Sequence, residues 1–249
     1  MNSSFCLVML GSDECSGYVV GAMLPTNAEA YSSALDIRFN RSLSGWCDST
    51  PHLHTSSEEY YLVLSGQIDL RVNDVLTPVQ AGHMLGVRAG MSHQVIGGSP
   101  PIENFIIRVP GGGSDKVVLA DARSMAINVL PILFDMHQLH SGYPIGACLP
   151  ENHLNYSPHL DFTSVWNVDP VQEWRNEQLH YHTLREEYYI VLRGRLDFQI
   201  GSDMVNVSDG QVIGVKHHTV HKVLGGKGPV DILFVRVPGG RGDKILVRE

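Results

Sequence analysis

The sequence states its functional residues twice. His52-Leu53-His54, Glu58-Glu59-Tyr60-Tyr61 and His93 return as His180-Tyr181-His182, Glu186-Glu187-Tyr188-Tyr189 and His221, each 128 residues further on. Gly21-Ala22-Met23-Leu24-Pro25 and Leu35-Asp36 return at a spacing of 125, as Gly146-Ala147-Cys148-Leu149-Pro150 and Leu160-Asp161. The second copy therefore carries three extra residues ahead of Trp174, the counterpart of Trp46. Arg108-Val109-Pro110-Gly111-Gly112 and Asp115-Lys116 end the first copy as Arg236-Val237-Pro238-Gly239-Gly240 and Asp243-Lys244 end the second. A unit of about a hundred residues is too long for a solenoid repeat and fits a whole domain. Two similar domains are expected, residues 1–121 and 122–249, with a connector near 120–145 and a short helix starting around 121–126.

Inside each copy the pattern is strand and turn. Residues 60–64 and 188–192 are aromatic and β-branched runs that end at Gly66 and Gly194. Ile68, Leu70 and Val72 alternate with polar residues, and Leu196, Phe198 and Ile200 do the same. Residues 105–109 and 233–237 are apolar and closed by Pro-Gly-Gly. With no 3.6-residue periodicity across these units, the reading is all-β, a sandwich or barrel.

The 43% of hydrophobic residues suffices for two packed cores, and a net charge of −8 argues against a nucleic-acid surface. No Lys/Arg run suggests a membrane patch, and no apolar run reaches about 18 residues. The start has a short apolar stretch without a basic region, so neither a signal peptide nor a membrane span is expected, and the cytoplasm is the expected location. Cys6, Cys15, Cys47 and Cys148 show no paired spacing and no recurrence between copies, so they read as free, buried thiols.

Side chains two apart on a strand share a face, so His52 and His54 project together, as do His180 and His182. Imidazole and carboxylate are donors for borderline and hard divalent ions. Three imidazoles and one carboxylate per copy leave one or two coordination positions free, as in a catalytic site rather than a closed structural one. Glu58 and Glu186 are the alternative carboxylates. Choosing them would turn the donor to the other strand face, and they read better as solvated groups or partners of a basic side chain.

These residues resemble the cupin family. Its first motif (Gly, five residues, His-x-His, three or four residues, Glu, six residues, Gly) is matched by His52, His54, Glu59 and Gly66, and by His180, His182, Glu187 and Gly194. Its second motif is matched by Gly82, Gly90 and His93, and by Gly210 and His221. Trp46 and Trp174 stand at the opening Gly, Arg88 and Lys216 at the Pro, His218 at the second Gly, and Gly97 and Gly225 at the Asn. The resemblance implies two tandem jelly-roll β-barrels, a bicupin, and a divalent transition metal in each (Fe, Mn, Ni, Cu, Co or Zn). Its ligands would be His52, His54, Glu59 and His93 in one barrel, and His180, His182, Glu187 and His221 in the other. It also implies a small-molecule substrate or ligand and allows a homodimer.

Tyr61 and Tyr189 are candidate catalytic hydrogen donors into the cavities, or else core aromatics. Arg108 and Arg236 are candidate carboxylate binders, or else internal partners of Asp69 and Asp197. His218, near His221, is a candidate acid/base at the second mouth; His83 and His217 read as surface residues. Asp115-Lys116 and Asp243-Lys244 read as edge-strand charges without a functional part. Copy two has Arg193, Arg195 and Lys222 where copy one has Ser65, Gln67 and Gln94, which predicts that an anionic substrate prefers the second site. The expected function is metal-dependent chemistry on a small oxygenated or carboxylated molecule, led by dioxygenase-type oxidation. Redox-neutral isomerisation, decarboxylation or elimination is the alternative, followed by non-enzymatic ligand binding or storage.

Overall fold

The computed structural model describes residues 4–11, 15–120, 131–138 and 142–247. The short helix expected at 121–126 lies outside them. The described residues form two nine-stranded antiparallel sheets, each rolled into a jelly-roll barrel.

In one barrel the strands run Ile132–Asp135, His83–Val87, Glu58–Val72, His93–Val109, Asp36–Ser42 and Cys15–Gly21. Val75–Gln80 pairs with Glu58–Val72, and His52–His54 lies between His93–Val109 and Lys116–Val118. The other repeats this order with Phe5–Met9, Gln211–Val215, Glu186–Ile200, His221–Val237, Asp161–Val168 and Ile145–Gly146. Its His180–His182 pairs with His221–Val237 and Lys244–Leu246.

The long strands do not end at the glycines, as the sequence suggests. Glu58–Val72 passes through Gly66, which adopts φ 71°, and its register against His93–Val109 shifts on either side of Ser65. A Cβ at Gly66 would lie 2.4 Å from the Pro101 carbonyl oxygen, so only glycine lets the bent strand approach its neighbour this closely. Each barrel surrounds its own apolar core, with Tyr61, Val63, Ile68, Leu70 and Leu85 in one and Tyr189, Val191, Leu196, Phe198 and Ile213 in the other.

The domain boundary is not where the repeat alone places it. The compact units are Gly11–Met136, and Met1–Leu10 together with His137–Glu249. Phe5–Met9 pairs with Gln211–Val215 in the second barrel, whereas Ile132–Asp135, at the same place in copy two, pairs with His83–Val87 in the first. Each copy's leading strand thus completes the other copy's barrel. Both receiving strands need an edge partner, and two similar strands satisfy either edge, so local sequence does not choose between them.

The three extra residues of copy two are accommodated by a single helical turn, Pro170–Glu173, capped by the Asp169 side chain on the Val171 N–H at 2.9 Å. All four cysteines are free, but only Cys6 is buried; Cys15 and Cys148 are half-buried and Cys47 is exposed. No helix among the described residues is long and apolar enough to cross a membrane.

Candidate metal centres

Strand pairing gathers the expected ligands. His52 sits opposite His93 in register, and Glu59 lies on the strand that also pairs with His93–Val109. In the first barrel, ligand atoms of His52, His54, Glu59 and His93 all lie within 4.8 Å of one another. In the second, His180, Glu187 and His221 meet that spacing. His182 joins them through Glu187, its Nε2 3.1 Å from Oε1, with its ring centroid 6.2 Å from His221 where the His54–His93 distance is 5.7 Å.

The hydrogen bonds behind these rings test whether a cation fits. His93 Nδ1 faces the Met91 carbonyl at 3.0 Å, so it carries the proton, yet Nε2 faces Glu59 Oε2 at 2.9 Å. His221 repeats this with the Thr219 carbonyl at 2.8 Å and Glu187 Oε2 at 3.0 Å. A neutral imidazole has one N–H, so its second nitrogen presents a lone pair to a carboxylate. Either a second proton or a divalent cation held between them resolves that repulsion, and three imidazoles with one carboxylate are a donor set suited to the cation. The buried His182 Nε2, which faces Glu187 Oε1 at 3.1 Å without hydrogen-bond geometry, fits the same account.

Sequence reading assigned no part to Asp115 and Asp243, and the structure corrects this. Asp115 Oδ1 lies 3.0 Å from His54 Nδ1, and Asp243 Oδ1 lies 2.8 Å from His182 Nδ1. Such a carboxylate fixes the tautomer and raises the basicity of the other nitrogen. Their recurrence at 128 was the available signal. Two backbone N–H groups hold each aspartate in both copies, but the copies differ in the side chain beside it, the buried Arg185 on Asp243 and the Ser56 hydroxyl on Asp115.

Other side chains are committed elsewhere. The Tyr61 hydroxyl donates to Glu59 Oε2 at 2.7 Å and Tyr189 to Glu187 Oε2 at 3.2 Å. Burial, with the adjacent carboxylate, raises both phenols well above 10. Each hydroxyl is thereby engaged by its glutamate. Glu58 points to the opposite face, to Tyr60 and Arg88, and Glu186 to Tyr188 and Lys216.

Arg108 and Arg236 are engaged by Asp36 and Asp161, at 2.5 and 2.7 Å, not by Asp69 and Asp197. Register explains the correction. Asp36 lies directly opposite Arg108 and Asp161 opposite Arg236, whereas Asp69 faces Gly97. The Gly21 and Gly146 motifs serve the same carboxylates. A Cβ at Gly21 (φ 133°) would meet Asp36 Oδ1 at 2.5 Å. The open position lets the Met23 N–H donate to that oxygen at 3.0 Å.

His218 is exposed, 6.3 Å from the Tyr181 ring, and lines neither cavity. It occupies the left-handed turn position (φ 61°) that Gly90 fills in copy one, so its side chain is carried outward rather than to the site.

Each centre opens onto a cavity. One, of about 180 Å³, is lined by His52, His54 and Glu59 with Arg38, Trp46 and Ile106. The other, of about 210 Å³, is lined by His180, His182 and Glu187 with Trp174, Phe234 and Glu177. The predicted basicity of the second site is not there. Arg193 pairs with Asp231 and Arg195 with Asp197 on exposed strand faces, and neither these nor Lys222 lines the cavity.

Protonation separates the barrels. Burial, and then the neighbouring His93, lowers His52 to about 3; burial lowers His54; burial, then His221, lowers His180 to about 4. Burial also opposes charge on His182, but Glu187 and Asp243 outweigh it and leave the group raised. A histidine lowered in the fold binds fewer protons than in the unfolded chain, so its contribution to stability is lost as pH falls below about 6.5. A raised histidine acts in the opposite sense, its contribution being complete below that pH. Between pH 6.5 and about 5 the metal-free first barrel should lose stability, while in the second the raised His182 and Glu177 oppose the lowered His180. Barrel-resolved hydrogen exchange at the two pH values checks this; equal losses would contradict it.

A sequence profile described as "Cupin domain" matches residues 43–100 and 170–236, about half of the chain. No curated protein matches the sequence closely enough to count as a relative. Among solved structures, protein Ylba from E. coli superposes with TM-score 0.65 at 10% identity, over 95% of this chain and 92% of that one. The Lactobacillus farciminis oxalate decarboxylase formate complex gives TM-score 0.62 at 13% identity, over 99% and 89%. Salicylate 1,2-dioxygenase from Pseudoaminobacter salicylatoxidans, as its adducts with gentisate, gives 0.58 at 13%, over 93% and 75%. At these identities the likeness is one of fold.

Proposed function

The chain belongs to the cupin family, and from that premise we propose that it is a metal-dependent enzyme oxidising a small oxygenated or carboxylated molecule with dioxygen. One observation carries the reading: three histidines and a glutamate converge on the wall of a small cavity, twice, with imidazole nitrogens facing carboxylate oxygens. When bound there, a divalent transition ion supplies Lewis-acid activation of a substrate oxygen and, where redox-active, the electron transfer that oxidation needs.

The protein's own residues prepare the site. Asp115 and Asp243 hold the imidazole tautomers, and Tyr61 and Tyr189 hold the glutamates. Trp46 and Ile106, and in the other barrel Trp174 and Phe234, supply apolar parts of the walls. Benzene occupies a cavity of roughly 150 Å³, so a molecule of about one ring fits either site. In the first cavity Tyr61, Arg108 and Asp48 are each tied to a neighbour, Asp48 through the Val95 N–H at 2.9 Å. A phenol, a guanidinium and a carboxyl so committed favour positioning and oxidation over proton relay.

One residue favours redox-neutral chemistry as a second reading, confined to the second cavity. Burial raises Glu177 to about 7, its Oε1 lies 3.8 Å from His180 Nδ1, and its buried Oε2 has no hydrogen-bond partner. A carboxyl so placed can hold or deliver a proton at Oε2 in an isomerisation, decarboxylation or elimination.

Oxygen-electrode assays of iron-, manganese-, nickel- and copper-loaded protein against enediols, 2-hydroxy acids and catechols test the proposal. Substrate-dependent oxygen uptake is expected. Turnover that persists without oxygen in zinc-loaded protein, and is lost in Glu177→Gln, would replace oxidation with the second reading.

A further inference from the structure

The two metal centres are near copies, but the walls beyond them are not. Asp36, Arg38 and Asn40 alternate along one strand and face Arg108, Ile106 and Asn104 across it. Asp36 and Arg108 recur as Asp161 and Arg236, but Arg38 becomes Thr163, Asn40 becomes Val165, Asn104 becomes Ile232 and Ile106 becomes Phe234. A polar wall in one barrel is an apolar and aromatic wall in the other.

Arg38 lines the first cavity beside the metal ligands. One terminal nitrogen donates to Ser16 Oγ at 2.6 Å, and Ser16 donates in turn to Asn40 Oδ1 at 2.6 Å, which fixes the guanidinium. Its Nε is buried with no hydrogen-bond partner, and no carboxylate among the described residues forms a salt bridge with it. A buried donor without an acceptor is costly, and guanidinium can only donate. Besides the histidines, three cations and three carboxylates line this cavity, against two cations and three carboxylates in the other. Arg108 and Lys116 have counterparts in Arg236 and Lys244, so Arg38 is the cation that distinguishes the first cavity.

From this geometry we infer that Arg38 anchors the carboxylate of a small anionic ligand in the first cavity, while the second, with Thr163, Val165, Ile232 and Phe234, takes a neutral and less polar one. The chain then has two substrate preferences rather than one site repeated, and the anionic preference is the reverse of what the surface arginines of copy two suggest. The inference deepens the enzymatic reading by naming a substrate class, but binding alone tests it.

The experiment is calorimetric titration of zinc-loaded protein with benzoate and with its neutral isostere benzamide, for wild type and Arg38→Met. Wild type should bind one benzoate per chain. Arg38→Met should weaken benzoate by about tenfold or more, the worth of a charge-assisted contact, and leave benzamide unmoved. Far-UV circular dichroism and two zinc ions per chain establish that the variant is folded; if it is not, Arg38→Gln, which keeps a donor toward Ser16, takes its place. Unchanged benzoate affinity, equal weakening of both probes, or benzoate binding only in a Thr163-sensitive way would overturn the inference. Arg38-dependent binding without oxygen uptake on any metal would leave the inference standing and remove oxidation.

Discussion

Asp36→Ala should destabilise the first barrel by about 3–5 kcal/mol, with the transition midpoint falling and its steepness unchanged. Asp36 is 1% exposed and takes two bonds from Arg108, at 3.1 and 2.5 Å, as well as the N–H groups of Met23 and Gly112. Removing it strands a guanidinium that is itself 5% exposed, and an unpaired buried charge costs far more than the pair contributes. Asp36→Leu combined with Arg108→Met should recover most of the loss. Asp161→Ala should cost the second barrel less, because Arg236 keeps the Gly240 carbonyl at 2.8 Å and the Tyr143 ring at 4.5 Å. Urea unfolding of the three variants beside wild type decides it. A cost below about 1 kcal/mol for Asp36→Ala, the range of an exposed pair, would mean that Arg108 is free to meet a ligand.

His93→Ala should reduce the metal bound per chain from two ions to one. His93 is the ring closest to both partners in its centre: its Nε2 faces Glu59 at 2.9 Å and its centroid lies 4.3 Å from His52. Each barrel holds a complete donor set, so the second should load as in wild type, and His221→Ala should give the mirror result. Isothermal titration with zinc of both single variants and the double variant separates the sites. Loss of both ions from either single variant would show that the centres are coupled rather than independent.

The repeat made the eight ligand candidates readable because metal donors must recur together, and strand parity separated Glu59 from Glu58 since neighbouring residues face opposite ways. Non-local pairing could not be read this way. Nothing in Phe5–Met9 says that it completes the barrel of copy two, because an edge strand specifies a partner only through a generic apolar alternation. Asp69 and Asp36 are equivalent carboxylates in sequence, and only the cross-strand register puts Asp36 opposite Arg108.

Asp115 and Asp243 were visible as a recurring pair but have no spacing rule that ties them to His54 and His182. Arg38 was hidden for the opposite reason. Attention to what recurs passes over a residue whose importance lies in having no copy. The surface arginines of copy two misled because charge counted along a strand does not say which face carries it.

The central claim is that one chain holds two independent metal centres. Elemental analysis of untagged protein, purified without chelator and then reloaded, tests it most directly. Two equivalents of divalent metal per chain is the expected result; one equivalent or fewer, after reloading with iron, manganese, nickel, copper, cobalt and zinc in turn, would contradict it.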